Sequence, residues 1–202
     1  MARYTFFSFH YKPDVQRAQV VKKSWVTQER KDAGFFDSSV FEKAQKQNDD
    51  ALKAFLNREM DGSSVVCTLV GTETASRRWV RYEIQRGVWE GKGLLAVRIH
   101  RIKNWEQKQS VAGDSPFHVL GVYVKDNGAS KSMYLVERPS TSDRWTYSAD
   151  FSKVIPKFPY RNTLPAEGTY ALSEFFQIYD WASDGYEKIG TWIERAATQA
   201  GR

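Results

Sequence analysis

Val65-Val66-Cys67-Thr68-Leu69-Val70-Gly71 decides the fold, because a continuous strand-forming run ends directly in a glycine. A run of this kind is expected in a central parallel strand covered on both faces. Thr72-Glu73-Thr74-Ala75-Ser76 reads as the loop leaving its C-terminal end. A helix is predicted from about Ser76 to Glu90, with Val80, Ile84 and Val88 on one stripe and Gly91-Lys92-Gly93 as its stop. Leu94 to Ile99 then repeats the buried-strand pattern.

On the N-terminal side, Tyr4 to Phe9 reads as a short aromatic strand, and His10-Tyr11-Lys12-Pro13-Asp14 as a turn leading into a helix. Val15, Ala18, Val21 and Trp25 recur at three or four residues, which gives that helix one apolar face. Gly34 to Asp37 reads as a second short strand. The next helix keeps its spacing through Phe41, Ala44, Asn48, Ala51 and Phe55, with Asn48 interrupting the stripe. Strand and helix alternating over the first hundred residues predict a parallel α/β sheet with helices on both faces, joined by right-handed crossovers. Ligands of such folds gather at the C-terminal ends of the strands.

Beyond Ile99 the pattern changes. Val119 to Val124 and Ser132 to Val136 flank Asp126-Asn127-Gly128, which predicts an antiparallel hairpin. Pro139 to Asp143 and Val154 to Pro165 read as loops wrapping the core, and Asp180 to Ala200 as a closing region with a packed helix. The expectation is a single domain over 1–202, with its core at about 1–102, an extension with the hairpin at about 103–165, and a C-terminal helical part at about 166–202.

Composition narrows the function classes. The chain has 202 residues, of which 41% are hydrophobic and 27% charged, so an ordinary globular fold is expected. No run approaches the roughly 20 apolar residues of a membrane span, and no signal-peptide core is seen, so a cytoplasmic protein with no membrane partner is expected. A net charge of +6 is spread among acidic residues and no nucleic-acid reader motif is found, so nucleic acid is not an expected partner. The single cysteine, Cys67, lies in the apolar run and reads as an inert core thiol. His10, His100 and His118 have no second ligand-type residue at metal spacing, so no metal is expected.

The chemistry concentrates in Arg77-Arg78-Trp79-Val80-Arg81-Tyr82-Glu83. Four residues apart on a helix, Trp79 and Glu83 project from the same side, and Glu83 falls at the edge of the apolar stripe. Two readings stay open on spacing alone: a carboxylate lining a cleft, or a surface ion pair with the neighbouring arginines. Trp79 can pack or can bind. Phe9, Ser8 and His10 end the first strand, where an aromatic can stack on a base and a hydroxyl or imidazole can hydrogen-bond a ligand, and where Phe9 and His10 can equally be structural. Asp37 can touch a ribose or cap a helix. Arg77 and Arg78 carry planar forks suited to a diphosphate, although solvated surface arginines are common. No Gly-rich dinucleotide fingerprint is present, so any dinucleotide is expected as a substrate and not as a resident cofactor.

The set Phe6-Phe7-Ser8-Phe9-His10, the Asp37 loop, Val65 to Gly71 and Ser76 to Glu83 resembles TIR-like domains. More narrowly, it is similar to the TIR-like signalling subunits of bacterial Thoeris anti-phage systems. Tyr179-Asp180-Trp181-Ala182 and Asp184-Gly185-Tyr186 extend the likeness towards the C-terminus. The resemblance implies a flavodoxin-like fold and an enzyme that converts NAD to a cyclic ADP-ribose isomer. Glu83 stands at the position of the catalytic glutamate, and Ser8, Phe9, His10, Asp37 and Trp79 are the expected substrate-binding residues. It also implies a partner effector that depletes NAD once the diffusible product reaches it, a phage-derived trigger, and a homo-oligomer among the assemblies to be expected. A plain NAD hydrolase, a TIR-like binding module without turnover and, more remotely, a flavin carrier are the rival readings.

Overall fold

The computed structural model describes residues 4–27, 33–34, 48–161 and 163–202, with side chains undescribed at 25–27 and 33–34. The described residues form two sheets. The first is parallel and five-stranded, in the order β2-β1-β3-β4-β9, from β1 (Thr5–Phe9), β2 (Ala33–Gly34), β3 (Val65–Val70), β4 (Gly93–Arg98) and β9 (Ile178–Asp180). The second is antiparallel and four-stranded, in the order β7-β6-β5-β8, from β5 (Leu120–Asp126), β6 (Lys131–Glu137), β7 (Thr146–Tyr147) and β8 (Gly168–Ala171).

Helix α1 (Tyr11–Thr27) and helix α4 (Gly185–Gln199) cover one face of the parallel sheet. Ala18 and Val21 from α1 join Ile189, Trp192 and Ile193 from α4 over Phe7, Cys67, Leu69, Leu95 and Val97. Gly93 permits this closeness, since a Cβ there would stand 2.6 Å from the Ala196 backbone. Helix α3 (Arg78–Trp89) covers the other face, and its Val80, Ile84 and Val88 share a core with Leu94, Ala96 and the inward residues Val122 and Leu135 of the antiparallel sheet. The order is therefore helices, parallel sheet, then α3 with the second sheet. This is the α/β architecture expected from the alternating strands and helices, with the hairpin and closing helix in place.

Four local readings change. Helix α1 begins at Tyr11, immediately beyond the first strand, and not at Pro13; a proline in the first turn loses no intrahelical bond, so it does not delay the start. Asn48 is no interruption of a stripe but the N-cap of α2 (Asp49–Met60), its side chain accepting from the Ala51 N–H at 2.8 Å. The hairpin is half of a larger sheet, and the parallel sheet gains a strand from Ile178–Asp180, far beyond the first hundred residues. Trp25, Phe35, Phe36, Asp37, Phe41 and Ala44 lie outside the residues whose side chains are described.

Candidate active site

Alternation along β1 sends Phe7 into the core beneath α1 and α4, so Ser8, the next residue, faces α3. The apolar stripe of α3 docks on the sheet and turns Glu83 into the seam between helix and β1. There the Ser8 hydroxyl donates to Glu83 Oε2. Both groups are enclosed: Ser8 is 0% and Glu83 3% exposed. Burial pushes the Glu83 carboxyl up to about 8, and the Ser8 hydrogen bond opposes that rise. At neutral pH the carboxyl is mostly protonated.

The arginines around Glu83 pair with other acids. Arg77 bonds Glu73, Arg78 lies 2.5 Å from Asp49, Arg81 3.8 Å from Glu137, and Arg86 2.6 Å from Glu90. The surface ion-pair reading of Glu83 therefore fails on both burial and partners.

The remaining sequence-derived residues separate. His10 stands two positions beyond Ser8, with Nδ1 3.7 Å from Glu73 Oε2. Burial lowers its pKa, Arg77 adds to that effect and Glu73 opposes it, so the imidazole is neutral at pH 7. Phe9 is buried on the opposite face of β1, among the residues under α1 and α4, with its ring 6.1 Å from that of Tyr11. Trp79 packs between α2 and α3 against Leu52, Phe55, Leu56 and Tyr82, with the Arg78 guanidinium 4.7 Å from its ring centroid. Asp37 lies outside the described residues.

The residues singled out in the sequence leave out a buried charge cluster at the same end of the sheet. Asp14 is 1% exposed and fills the space above Gly71, where a Cβ would meet its Oδ2 at 2.1 Å. Burial raises its pKa to about 6, against the opposing effect of Arg17, whose guanidinium is 3.9 Å away. Arg17 in turn donates to the carbonyls of Ile102 at 2.9 Å, Pro13 at 3.1 Å and Lys108 at 3.3 Å, pinning the segment after β4 to α1. The i,i+3 spacing of Asp14 and Arg17 was visible in the sequence, but their burial was not. Cys67 is a buried free thiol whose pKa burial pushes far up, which makes it an inert core residue. Among the described residues, no three His, Cys, Asp or Glu side chains gather as a metal site would require.

The geometry can be set beside known proteins. A family model described as "Thoeris protein ThsB, TIR-like domain" matches residues 6–104. The chain is also 36% identical over 201 residues to a protein of Bacillus cereus (strain MSX-D12) named "Putative cyclic ADP-D-ribose synthase ThsB1", a match covering 96% of this chain and 100% of that protein. The chain belongs to the ThsB family of TIR-like Thoeris proteins. The ThsB model spans both partners of the buried pair, Ser8 and Glu83, and ends just past β4. The likeness to the Bacillus protein continues beyond it through the antiparallel sheet and α4.

Proposed function

We propose that this protein cleaves the nicotinamide–ribose bond of NAD at Glu83 and closes the remaining ADP-ribose into a cyclic isomer, a diffusible signal in Thoeris anti-phage defence. The observation that carries the assignment of Glu83 is its enclosed hydrogen bond with Ser8 at the ligand-binding end of the sheet. The name of the Bacillus relative supports the product class.

The nicotinamide of NAD is a cationic leaving group. When the C1′–N bond breaks, its electron pair departs with the ring, neutral nicotinamide is released, and no general acid is needed. The ribose carbon passes through an oxocarbenium-like state, as in glycoside cleavage. A carboxylate held beside that carbon stabilises the developing charge without reorganising. The raised pKa of Glu83 fits this sequence: the cationic nicotinamide riboside favours the ionised carboxyl, so NAD binding at pH 7 releases a proton. Ser8 then holds the anion in place. If a ribose hydroxyl of the same molecule attacks C1′, its proton passes to Glu83; if an adenine nitrogen attacks, no such transfer is required. Enclosure of the site disfavours water and thereby hydrolysis.

NAD is the substrate in this reading and no further cofactor takes part. The product acts on an NAD-depleting effector, a phage-derived component triggers the enzyme, and the reaction takes place in the cytoplasm. Among the described residues no helix is long and apolar enough to cross a membrane. Chromatography of NAD reaction mixtures, with and without extract from infected cells, tests the proposal. A cyclic isomer formed by the wild-type chain and lost in Glu83→Gln is expected. ADP-ribose alone would replace the cyclase with a hydrolase, and undiminished product from Glu83→Gln would remove Glu83 from the mechanism.

A further inference from the structure

The rim beside Ser8 and Glu83 holds a second charged cluster that the bond-breaking step does not use. Glu73, in the loop after β3, reaches forward to Arg77, the N-cap residue of α3, and accepts a hydrogen bond from its guanidinium. The same carboxylate oxygen faces His10 Nδ1 at 3.7 Å. Neither His10 Nδ1 nor Arg77 Nε, both enclosed, has a hydrogen-bond partner. One glutamate thus occupies a cation and a neutral imidazole whose donors exceed what it satisfies.

The position of this cluster is set by two parallel rails. His10 follows the last residue of β1 directly and stands two positions beyond Ser8. Along α3, Arg77 lies six residues before Glu83, a rise of about 9 Å. Both rails lead from the buried carboxyl towards solvent. In a nicotinamide dinucleotide the ribose is followed directly by the diphosphate. A ribose seated at Glu83 and Ser8 therefore delivers its diphosphate to His10 and Arg77. The end of α3 reinforces the choice: its first turn contains no acidic residue and its N-cap makes no side-chain capping bond, so its N–H groups favour an anion.

Resting on the NAD reading above, we propose that Arg77 and His10 form the seat of the substrate's diphosphate, and that Glu73 stands in for that diphosphate until the dinucleotide displaces it. The exchange is physically cheap. With Arg77 41% and Glu73 53% exposed, their pair is screened by water and weak, whereas a diphosphate brings two charges and a bidentate fit to the guanidinium. His10 adds a hydrogen-bonding group whose Nδ1 has no other partner. Arg78 does not share this role, being engaged with Asp49 and laid over Trp79. Asp14 lies beneath the same loop, where burial raises its pKa to about 6, Arg17 opposes the rise and Glu73 adds to it, so displacing Glu73 also relieves a repulsion on Asp14.

The test is equilibrium binding of ADP-ribose, which carries the diphosphate but no bond to cleave, compared with adenosine, which lacks it. Full-length wild type, Arg77→Gln and Glu73→Gln are measured, with thermal melting as the fold control. Arg77→Gln is expected to weaken ADP-ribose about tenfold while adenosine changes less than about twofold. Glu73→Gln is expected to tighten ADP-ribose about threefold, a gain that misfolding cannot produce. Equal losses on both ligands in Arg77→Gln, or weakened ADP-ribose binding in Glu73→Gln, would overturn the assignment. If these shifts appear but Glu83→Gln still converts NAD, the catalytic reading fails and the diphosphate seat stands. If the wild-type chain binds neither ADP-ribose nor NAD, both fail together.

Discussion

The two sheets hold α3 by different chemistry. The parallel sheet receives the apolar stripe of the helix, and its polar contribution at the site is one hydroxyl, from Ser8 to Glu83. The antiparallel side meets the same stripe through Val122 and Leu135 and adds polar and aromatic contacts that the parallel side lacks. Arg81 donates to the carbonyls of Arg138 at 3.1 Å and Pro139 at 3.0 Å, Ser148 donates to the buried Gln85, and Phe151 packs on Tyr82 and Trp89 at ring distances of 5.3 and 5.7 Å. Lys53 of α2 adds an ion pair of 2.6 Å to Asp150. Apolar packing fixes depth without direction, whereas hydrogen bonds fix rotation and register. The parallel sheet therefore buries Glu83, and the segments on either side of β7 add the hydrogen bonds that fix the turn of α3.

Breaking the parallel side at its polar point has the largest effect. Glu83→Gln is expected to lower cyclic product formation at least about a hundredfold, measured by chromatography, because the transition-state charge loses its counter-ion. The same variant should gain stability in a pH-dependent way. The folded carboxyl has a pKa of about 8 against an ordinary 4.5, so the folded state binds more protons between those values. Wild-type stability is then full below pH 4.5 and falls as pH rises through about 8, by on the order of a few kcal/mol. Melting curves should separate little at pH 5 and widely at pH 9, with the variant higher.

Ser148→Ala tests the opposite side, since it strands the amide of Gln85 in the interior. A loss of about 1–3 kcal/mol is expected in denaturant titrations. Product formation should fall only as far as α3 turns. Ser8→Ala removes the bond that holds the Glu83 pKa down, so the pH–rate profile should move to higher pH and activity at pH 7 should drop by about tenfold, partly restored at pH 9. Least affected should be Arg78→Ala, an exposed pair with Asp49, at less than about 1 kcal/mol in the same titrations. A large effect there would mean that α2 and not the segments on either side of β7 sets the angle of α3.

What could be read in the chain follows the same division. Strands β1, β3 and β4 and the stripe of α3 were legible because burial on both faces leaves unbroken apolar runs and 3.6-residue spacing. The hairpin was legible from Asn127-Gly128. Strand β9 was not: Ile178-Tyr179-Asp180 is three half-buried residues, and pairing with Ala96–Arg98 makes it a strand. Gln85 and Ser148 were equally silent, being separated by 63 residues with no pattern to join them. At the site, Ser8 and Glu83 were selected by family resemblance, since a carboxylate at the edge of a stripe can point either way. Asp14 carried only a helix-start signal; its enclosure depends on Gly71 lacking a side chain.

The late arrival of β9 has a consequence for the order of synthesis. The strand that covers the outer edge of β4 is synthesised only after all the strands of the antiparallel sheet, and α4, which covers Leu95 and Val97, comes later still. Until then the nascent chain carries an open parallel edge and an uncovered apolar face, the features by which unfinished sheets find wrong partners. The parallel sheet of this protein can therefore be completed only when nearly the whole chain has been made.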